Sequence, residues 1–240
     1  MHMLSKLFLT AVLAFAMSST AMAQVDDILE AHFQAVGGIE KLSEIKTVKR
    51  SGSATLSGVA GNLEGTREEA AVVGKKSYAK NDLGIISDTT GWNGTTGWKV
   101  SPAEGLADLE GPDLDLAKAA TYLDPLHSVV ELFGSAALTL GSDRAVYGKD
   151  CVTLNLAGAP ISYFVDKESQ YLVGIELTTT DPAMGEITLM VGYGDYAEFG
   201  GVMLPNTTSL DIANGMITVD TTFEKTEIDV ELDESIFEKP

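Results

Sequence analysis

The residues best suited to acid–base, nucleophilic or metal chemistry are few and scattered in this sequence. Beyond residue 2, histidine occurs at His32 and His127, and cysteine occurs only at Cys151. The sequence has no Gly-x-Ser-x-Gly elbow, His-Glu-x-x-His pair, phosphate loop or Cys-x-x-Cys motif. Two histidines far apart in sequence do not suggest a metal site, and a lone thiol is more typical of a structural cysteine. We therefore expect no catalytic residues, no metal ligands and no cofactor.

Carboxylates are abundant, with 35 Asp and Glu against 16 Lys and Arg and a formal net charge of −19. This balance opposes nucleic-acid binding, which needs clustered basic side chains, and favours a monomer. A hydrolase that uses buried carboxylates stays open as an alternative, because so many acids always offer pairs. One acidic cluster lacks the spacing of an EF-hand loop, so a solvated loop is expected there in preference to a calcium site. Its members are Asp108, Glu110, Asp113 and Asp115.

The first residues have the pattern of a secretory signal peptide. Lys6 precedes the apolar run Leu7–Met17, which is too short to span a bilayer as a helix. Ala21-Met22-Ala23 has the small-x-small pattern of a cleavage site, so cleavage is expected near Ala23. We expect residues 1–23 to be a signal peptide and 24–240 to form a single domain. The mature protein should be periplasmic or secreted, and it should not be an integral membrane protein.

Two parts of the chain have helical periodicity. In the stretch Val25–Leu56, apolar residues recur at helical spacing as far as Val36, with His32 expected at the boundary of the apolar stripe. Gly37-Gly38 ends this helix. Further along, Leu114–Leu123 is helical by its Leu and Ala content, and a second helix begins at Asp124-Pro125 with Asp as N-cap.

The rest of the chain alternates with a period of two, which is typical of half-buried strands. Asn93-Gly94 predicts a hairpin with a type I′ turn, and the stretch Pro102–Pro112 is expected to be a loop. Together the elements predict a mainly β (α+β) fold. We expect a single curved antiparallel sheet that forms an unclosed β-barrel of about eleven strands, with the N-terminal helix and the mid-chain helical insertion on its concave face.

Such a sheet would line a cavity with the inward residues of every second position, and that cavity suits an apolar ligand. The candidate ligand-binding residues are large or soft side chains near the hairpins and helices, together with the one cation in the apolar register of the first strand. The alternative for the large side chains is that they pack in the core or in a hairpin. The alternative for the cation is that it lies at an edge or rim of the sheet. The candidates are Arg50, Trp92, Trp98, Tyr122, Phe133 and Met184.

Several segments of the sequence are similar to the motifs of one protein family. Ala35–Thr47 is similar to the pattern Ala-x-Gly-Gly-x-x-x-Leu-x-x-Ile-Lys-Thr, and Gly91–Trp98 is similar to an aromatic-Asn/Asp-Gly-x-x-x-Trp segment. The later similar segments are Val146–Cys151, Tyr163–Asp166, Tyr193–Tyr196, Gly201–Pro205 and Phe237–Pro240. Together these segments resemble the LolA-like periplasmic proteins, the outer-membrane lipoprotein-sorting superfamily.

The resemblance implies an unclosed barrel with plug helices, a role as carrier or sensor of lipid or lipidated protein, and no catalytic residues. The leading hypothesis is a periplasmic binding protein or carrier for an apolar ligand, such as lipid or lipoprotein acyl chains, held between the sheet and the helices. The first alternative is a non-catalytic module that binds or senses another envelope protein. The second alternative is the carboxylate hydrolase.

Overall fold

Strands make up about half of the residues that the structure describes. The computed structural model describes residues 22–58, 61–181 and 185–240. The strands are β1 (Thr47–Gly58), β2 (Gly61–Val72), β3 (Lys76–Asp82), β4 (Ser87–Trp92), β5 (Gly97–Ser101), β6 (Gly105–Asp108), β7 (Leu138–Leu140), β8 (Arg144–Val146), β9 (Lys149–Leu156), β10 (Ile161–Asp166), β11 (Leu172–Asp181), β12 (Gly185–Phe199), β13 (Val202–Ile212) and β14 (Ile217–Ile228).

All 14 strands belong to one antiparallel sheet. Its order is β6-β5-β4-β3-β2-β1-β14-β13-β12-β11-β10-β9-β7, with β8 paired to β9. The last strand therefore lies beside the first, and it joins the two halves of the chain through the β1–β14 ladder. Because β6 and β7 remain at opposite edges, the sheet is an unclosed barrel, which confirms the predicted fold class.

The strand number is higher than predicted, with 14 strands in place of about eleven. Strand β6 lies inside the stretch that was expected to be a loop, where it pairs with β5. Strands β7 and β8 have three residues each, and both pair with β9. Segments this short contain too few residues for a period-two pattern, so they are recognisable only through their partners.

The hairpin at Asn93-Gly94 is present, but its turn is not of the predicted two-residue type. Four residues separate β4 from β5, and Gly94 supplies the positive φ, at 96°. The Asn93 side chain accepts hydrogen bonds from the backbone N–H groups of Thr95 at 2.9 Å and Thr96 at 2.8 Å. An Asx-type turn therefore replaces the second positive φ that a type I′ turn needs.

The helices lie on one face of the sheet, which we call the inner face. They are α1 (22–35 among the described residues), α2 (Ile39–Glu44), α3 (Gly111–Ala119) and α4 (Pro125–Phe133). Helix α4 has the predicted N-cap, since Asp124 accepts a 2.8 Å hydrogen bond from the backbone N–H of His127. Helix α3 begins and ends earlier than Leu114–Leu123, with Pro112 in its first turn.

The main core forms where α1, α2 and α4 pack on the inner face of β9–β13. Helix residues such as Leu42 and Leu126, both fully buried, meet strand residues such as Leu154 and Leu172, which are also fully buried. Met203 donates its backbone N–H to the carbonyl of Val36 at 2.9 Å, so the segment after α1 is fixed directly to β13. The helices thus act as a plug over one part of the inner face.

The opposite, outer face has smaller cores of its own. Trp98 is buried there, and its indole N–H donates a 2.9 Å hydrogen bond to the carbonyl of Phe237 in the C-terminal segment. Cys151 is fully buried among Val146, Phe164 and Val173, and this burial raises the pKa of its thiol. Within the described residues, no helix is both long and apolar enough to cross a membrane.

Candidate functional site

Two rows of aliphatic side chains run across the inner face beyond the plug. Cross-strand partners share a face, so the register of the ladders defines each row. The first row follows the pairs Leu63–Leu56, Leu56–Val219, Val219–Leu210, Leu210–Val191 and Val191–Ile175. The second follows the pairs Ile217–Ile212, Ile212–Leu189 and Leu189–Leu177. We call these two rows the apolar floor.

The floor is only partly covered. Ile175 touches the main core through its neighbour Tyr163, whereas Leu56, Leu210 and Val219 stand outside the buried cores of the described residues and keep part of their surface exposed. On the outer side of the same strands the residues are polar, as in Thr218 and Asp220 of β14. This part of the sheet is therefore amphipathic, with its apolar side turned inward.

A belt of polar groups separates the floor from the plug. On β1 and β2, Arg50 pairs with Glu69, and Arg67 lies one row nearer the floor. Arg67 Nε donates a 2.7 Å hydrogen bond to Glu69 Oε1, and Arg67 Nη1 donates one of 2.6 Å to Asn81 Oδ1. Arg50 Nη1 is 3.8 Å from Glu69 Oε2. Two guanidinium groups thus share one carboxylate.

Arg50 fills a fork in the sheet. The β13–β14 ladder ends at the pair Thr207–Thr222, and beyond it β13 and β14 diverge. Arg50 Nη2 donates a hydrogen bond to the carbonyl of Pro205 across this fork, and the guanidinium lies 3.5 Å from the centre of the Phe223 ring. Burial lowers the pKa of Arg50 from its ordinary value, while the nearby carboxylate of Glu69 opposes that shift.

The same fork contains polar atoms that the described residues leave without hydrogen bonds. They are Arg50 Nε, Asn206 Oδ1 and Thr226 Oγ1. Buried polar atoms normally have partners, because an unmade hydrogen bond costs about 1–3 kcal/mol. Arg50 therefore has hydrogen-bonding capacity beyond its contact with Pro205.

A buried ion pair fastens the plug. His32 of α1 is fully buried, not at the boundary of the apolar stripe as expected, and its Nε2 lies 3.0 Å from Asp124 Oδ2. Its Nδ1 lies 2.9 Å from the carbonyl oxygen of Gln170, in the turn between β10 and β11. Both ring nitrogens face acceptors, so the doubly protonated imidazolium satisfies both contacts. Burial disfavours this charged form, yet the Asp124 carboxylate raises the pKa of His32 overall.

Tyrosines surround the boundary between plug and floor. Tyr171 and Tyr196 stack with ring centres 4.4 Å apart, and the Tyr196 hydroxyl donates a 2.7 Å hydrogen bond to the carbonyl of Leu172. Burial raises the pKa of Tyr163 to about 12, and burial also raises the pKa values of Tyr193 and Tyr196. These hydroxyl groups therefore stay protonated at neutral pH and act as hydrogen-bonding groups only.

The residues predicted from sequence to bind ligand are not gathered in one place. Arg50 lies on the inner face beside the floor, and Trp92 lies on that face near α3, with Lys118 Nζ 5.4 Å from its ring centre. Tyr122 packs against His127 in the plug, with ring centres 5.3 Å apart. Phe133 is 55% exposed at the end of α4.

The remaining two candidates are in different situations. Trp98 lies on the outer face, which differs from the expectation that it lines a cavity on the inner face. It pairs with Gly91 and is displaced by one residue from the Trp92–Gly97 pair, and in a strand this places the two indoles on opposite faces. Met184 falls outside the described residues, as does most of the predicted signal peptide, residues 1–23.

Sequence reasoning missed the floor because its residues are ordinary aliphatics. The alternation of Ile187, Leu189 and Val191 was recognisable as a strand, but nothing in it distinguished exposed from covered positions. The signal that could have indicated the floor is an imbalance between elements. Among the described residues, three short helices and α1 are too few to cover the apolar side of 14 strands.

A groove and an acidic cluster lie elsewhere in the structure. A groove of about 330 Å³ lies between α1 and α4, and its lining includes Leu29, Phe33 and Val130 together with Asp26 and Glu30. In residues 22–58, 61–181 and 185–240, no three His, Cys, Asp or Glu side chains converge as a metal site would require. The acidic cluster near α3 is partly paired, since Asp108 lies 2.7 Å from Lys239 Nζ.

No protein-family profile and no curated protein matches this sequence. Solved structures do share its fold. A DUF1329 family protein from Desulfovibrio piger superposes with a TM-score of 0.56 at 12% identity, covering 89% of this chain and 97% of the other. A candidate outer membrane lipoprotein-sorting protein domain from Vibrio parahaemolyticus gives 0.55 at 12% identity, covering 89% and 95%.

A LolA superfamily protein from Nitrosomonas europaea gives a TM-score of 0.54 at 12% identity, covering 84% of this chain and 96% of the other. Likenesses at this level of identity concern the fold. They confirm that the chain has the LolA-like architecture that its motifs resemble.

Proposed function

We propose that this protein is a non-enzymatic binding protein of the cell envelope that holds alkyl or acyl chains on the apolar floor. The observation that carries the proposal is the pair of aliphatic rows, which stay partly exposed on a face whose other half is buried by helices. A contiguous exposed apolar surface is unfavourable in water and marks a binding site.

The dimensions of the floor suit a long hydrocarbon chain. From β2 to β11 the first row crosses five inter-strand spacings of about 4.8 Å, or roughly 24 Å. Each methylene buried contributes about 0.8 kcal/mol, so a chain of about ten methylenes contributes roughly 8 kcal/mol before the costs of association. No charged contact is needed for such binding, which is compatible with the net charge of −19.

The bound alkyl or acyl chain is proposed to belong to a lipid or a lipidated protein outside the cytoplasm. The predicted signal peptide supports this location, and so does the shared fold with a candidate outer membrane lipoprotein-sorting domain. The mature chain, 24–240, would act as a single domain. A catalytic role has little support, because His32 and Asp124 are both buried and use their polar atoms to tie the plug together.

The proposal is tested by the fluorescence of N-phenyl-1-naphthylamine, a neutral probe that brightens in apolar surroundings, and by its displacement with dodecanol. We expect the full mature protein to bind the probe and dodecanol to displace it. Val219→Gln places an amide at the centre of the first row and should weaken both ligands by about tenfold or more. The matched control is Thr218→Gln, one residue away on the outer face, and its affinities should equal those of the wild type.

Absence of binding by the wild-type protein would refute the proposal. An equal loss in Val219→Gln and Thr218→Gln would also refute it, because the ligand would then not occupy the inner face. Circular dichroism spectra of both variants establish that each keeps the fold.

A further inference from the structure

We propose that the ligand is an anionic amphiphile whose carboxylate or phosphate head group is bound by Arg50 and Arg67 while its alkyl chain lies on the apolar floor. The inference rests on the proposed function, and it adds the chemical class of the ligand and the residues that select it. Its basis is a local excess of positive charge on the inner face of a strongly acidic protein.

The charge excess comes from the sharing of Glu69. Arg67 makes two contacts with Glu69 Oε1, from Nε and Nη2, each at 2.7 Å. Arg50 Nη1 approaches the other carboxylate oxygen only to 3.8 Å. The carboxylate of Asp88 lies in the same row as Arg67 but two strands away, where it accepts a 3.0 Å hydrogen bond from Asn81. The three directly associated groups therefore carry one unmatched positive charge.

The guanidinium groups of Arg50 and Arg67 have N–H donors that the described part of the chain does not use. A guanidinium carries five N–H groups. Arg50 uses one of them on the carbonyl of Pro205, and its Nε has no hydrogen-bond partner among the described residues. Thr226, which pairs with Arg50 across the β1–β14 ladder, has a hydroxyl that likewise lacks a partner there. An anionic oxygen is the ligand group that such donors favour most.

On β1 and β2 the residues between the arginines and the floor are small, and the backbone of Asp82 and of Thr222 lies against two of them. Gly65 separates Arg67 from Leu63 on the inner side of β2, and Gly52 and Ala54 separate Arg50 from Leu56 on β1. The Arg67 side chain keeps 25% of its surface exposed and that of Arg50 keeps 12%. An amphiphile could therefore place its head against the guanidinium groups and its tail along the first row.

The experiment compares three competitors with the same twelve-carbon chain on the full mature protein at pH 7, namely laurate, dodecyl phosphate and dodecanol, each displacing N-phenyl-1-naphthylamine. We expect both anions to bind about tenfold more tightly than dodecanol, since hydrogen bonds to charged groups are the stronger ones. Tighter binding of dodecyl phosphate than of laurate would identify a phospholipid-like head group. Tighter binding of laurate would identify a free fatty acid.

Variants assign the preference to the arginines. Arg50→Gln removes the contacts across the fork and risks unfolding, so Arg67→Gln is the main test. It should reduce the preference for anions several-fold while the dodecanol affinity stays unchanged. Glu69→Gln removes the shared carboxylate and should increase the preference, an effect that a purely structural role does not produce. Arg144→Gln breaks an outer-face ion pair with Glu176 and should change neither affinity.

The two proposals fail in different ways. If dodecanol competes as well as both anions and Glu69→Gln changes nothing, the head-group assignment is wrong while the binding of alkyl chains stands. If none of the three compounds displaces the probe, the proposed function itself is wrong and the head-group assignment falls with it.

Discussion

The inner face has two halves that are built alike and covered differently. Under the plug, Leu154, Leu172 and Leu204 are at most 2% exposed and pack against α1 and α4. On the apolar floor, Leu210 and Val219 occupy equivalent inward positions yet remain partly exposed. Both halves have apolar residues at their inward positions, so the alternation along a strand determines which way a side chain points but not what covers it.

The difference separates stability from binding. Burial of an aliphatic side chain by another part of the chain stabilises the fold, whereas an aliphatic side chain left half exposed stabilises whatever ligand covers it. Substitutions under the plug should therefore lower the free energy of unfolding, and substitutions on the floor should mainly lower ligand affinity. The contact between His32 and Asp124, which holds the plug in place, should matter most for stability.

Asp124→Asn should have the largest effect on stability. Removing one partner of a buried ion pair leaves the other charge uncompensated, and this typically costs about 3–5 kcal/mol. Asp124 also caps α4, and the Asn side chain retains that role, so the expected loss reflects the pairing with His32. The measurement is the free energy of unfolding from urea denaturation followed by circular dichroism.

The control for this variant is Asp27→Asn, an exposed carboxylate on α1, which should change stability by less than about 0.5 kcal/mol. An equally small change in the free energy of unfolding for Asp124→Asn would mean that the ion pair does not hold the plug. The stability of the covered half would then come from apolar packing alone.

The next prediction compares leucines at matched positions in the two halves. Leu154→Ala removes a fully buried side chain and should cost about 3 kcal/mol, because a cavity remains under the plug. Leu210→Ala truncates a partly exposed side chain of the floor and should cost only about 1 kcal/mol. Urea denaturation measures both, and probe fluorescence should show the opposite order, with the larger loss of affinity in Leu210→Ala. Equal costs in unfolding would mean that the floor is part of the core.

Much of the fold could be predicted from sequence because it depends on local patterns. The period-two strands, the Asp124-Pro125 start of α4 and the glycines after α1 are local signals, and each appears in the structure. The three-residue strands β7 and β8 could not be counted reliably, since their identity depends on pairing with β9.

The candidate site was harder to predict because it depends on contacts between distant residues. His32 and Asp124 are 92 positions apart, and Arg50 meets the carbonyl of Pro205 155 positions away. Periodicity identified Arg50 as the cation in the apolar register of β1, but it could not show that the guanidinium spans a fork between β13 and β14. Aromatic residues were predicted to line the cavity because of their size. Trp98 lies on the outer face, so size does not determine the face of the sheet to which a side chain belongs.

The pH dependence of stability is the smallest expected effect, and it tests whether the two halves of the inner face are independent. The raised pKa of His32 means that its contribution is fully present below 6.5, its ordinary value, and is lost as the pH rises through the higher folded value. Burial opposes the charged form of Asp124, but His32 lowers its pKa overall. Its contribution is therefore present above 3.8 and lost as the pH falls through the lower folded value. The pair should stabilise the plug most between about pH 3.8 and 6.5.

Raising the pH should weaken the plug without abolishing it, because a neutral His32 still donates one ring N–H to Asp124 while the carbonyl of Gln170 loses its donor. The free energy of unfolding is measured in urea at pH 5, 7 and 9. Its decrease in the wild type from pH 5 to pH 9 should be smaller than the decrease that Asp124→Asn causes at pH 5. His32→Gln, which cannot titrate, should flatten the profile. Val219→Gln alters only the floor and should give a profile parallel to that of the wild type. A flattened profile in Val219→Gln would show that the two halves are coupled, so that covering one of them depends on the state of the other.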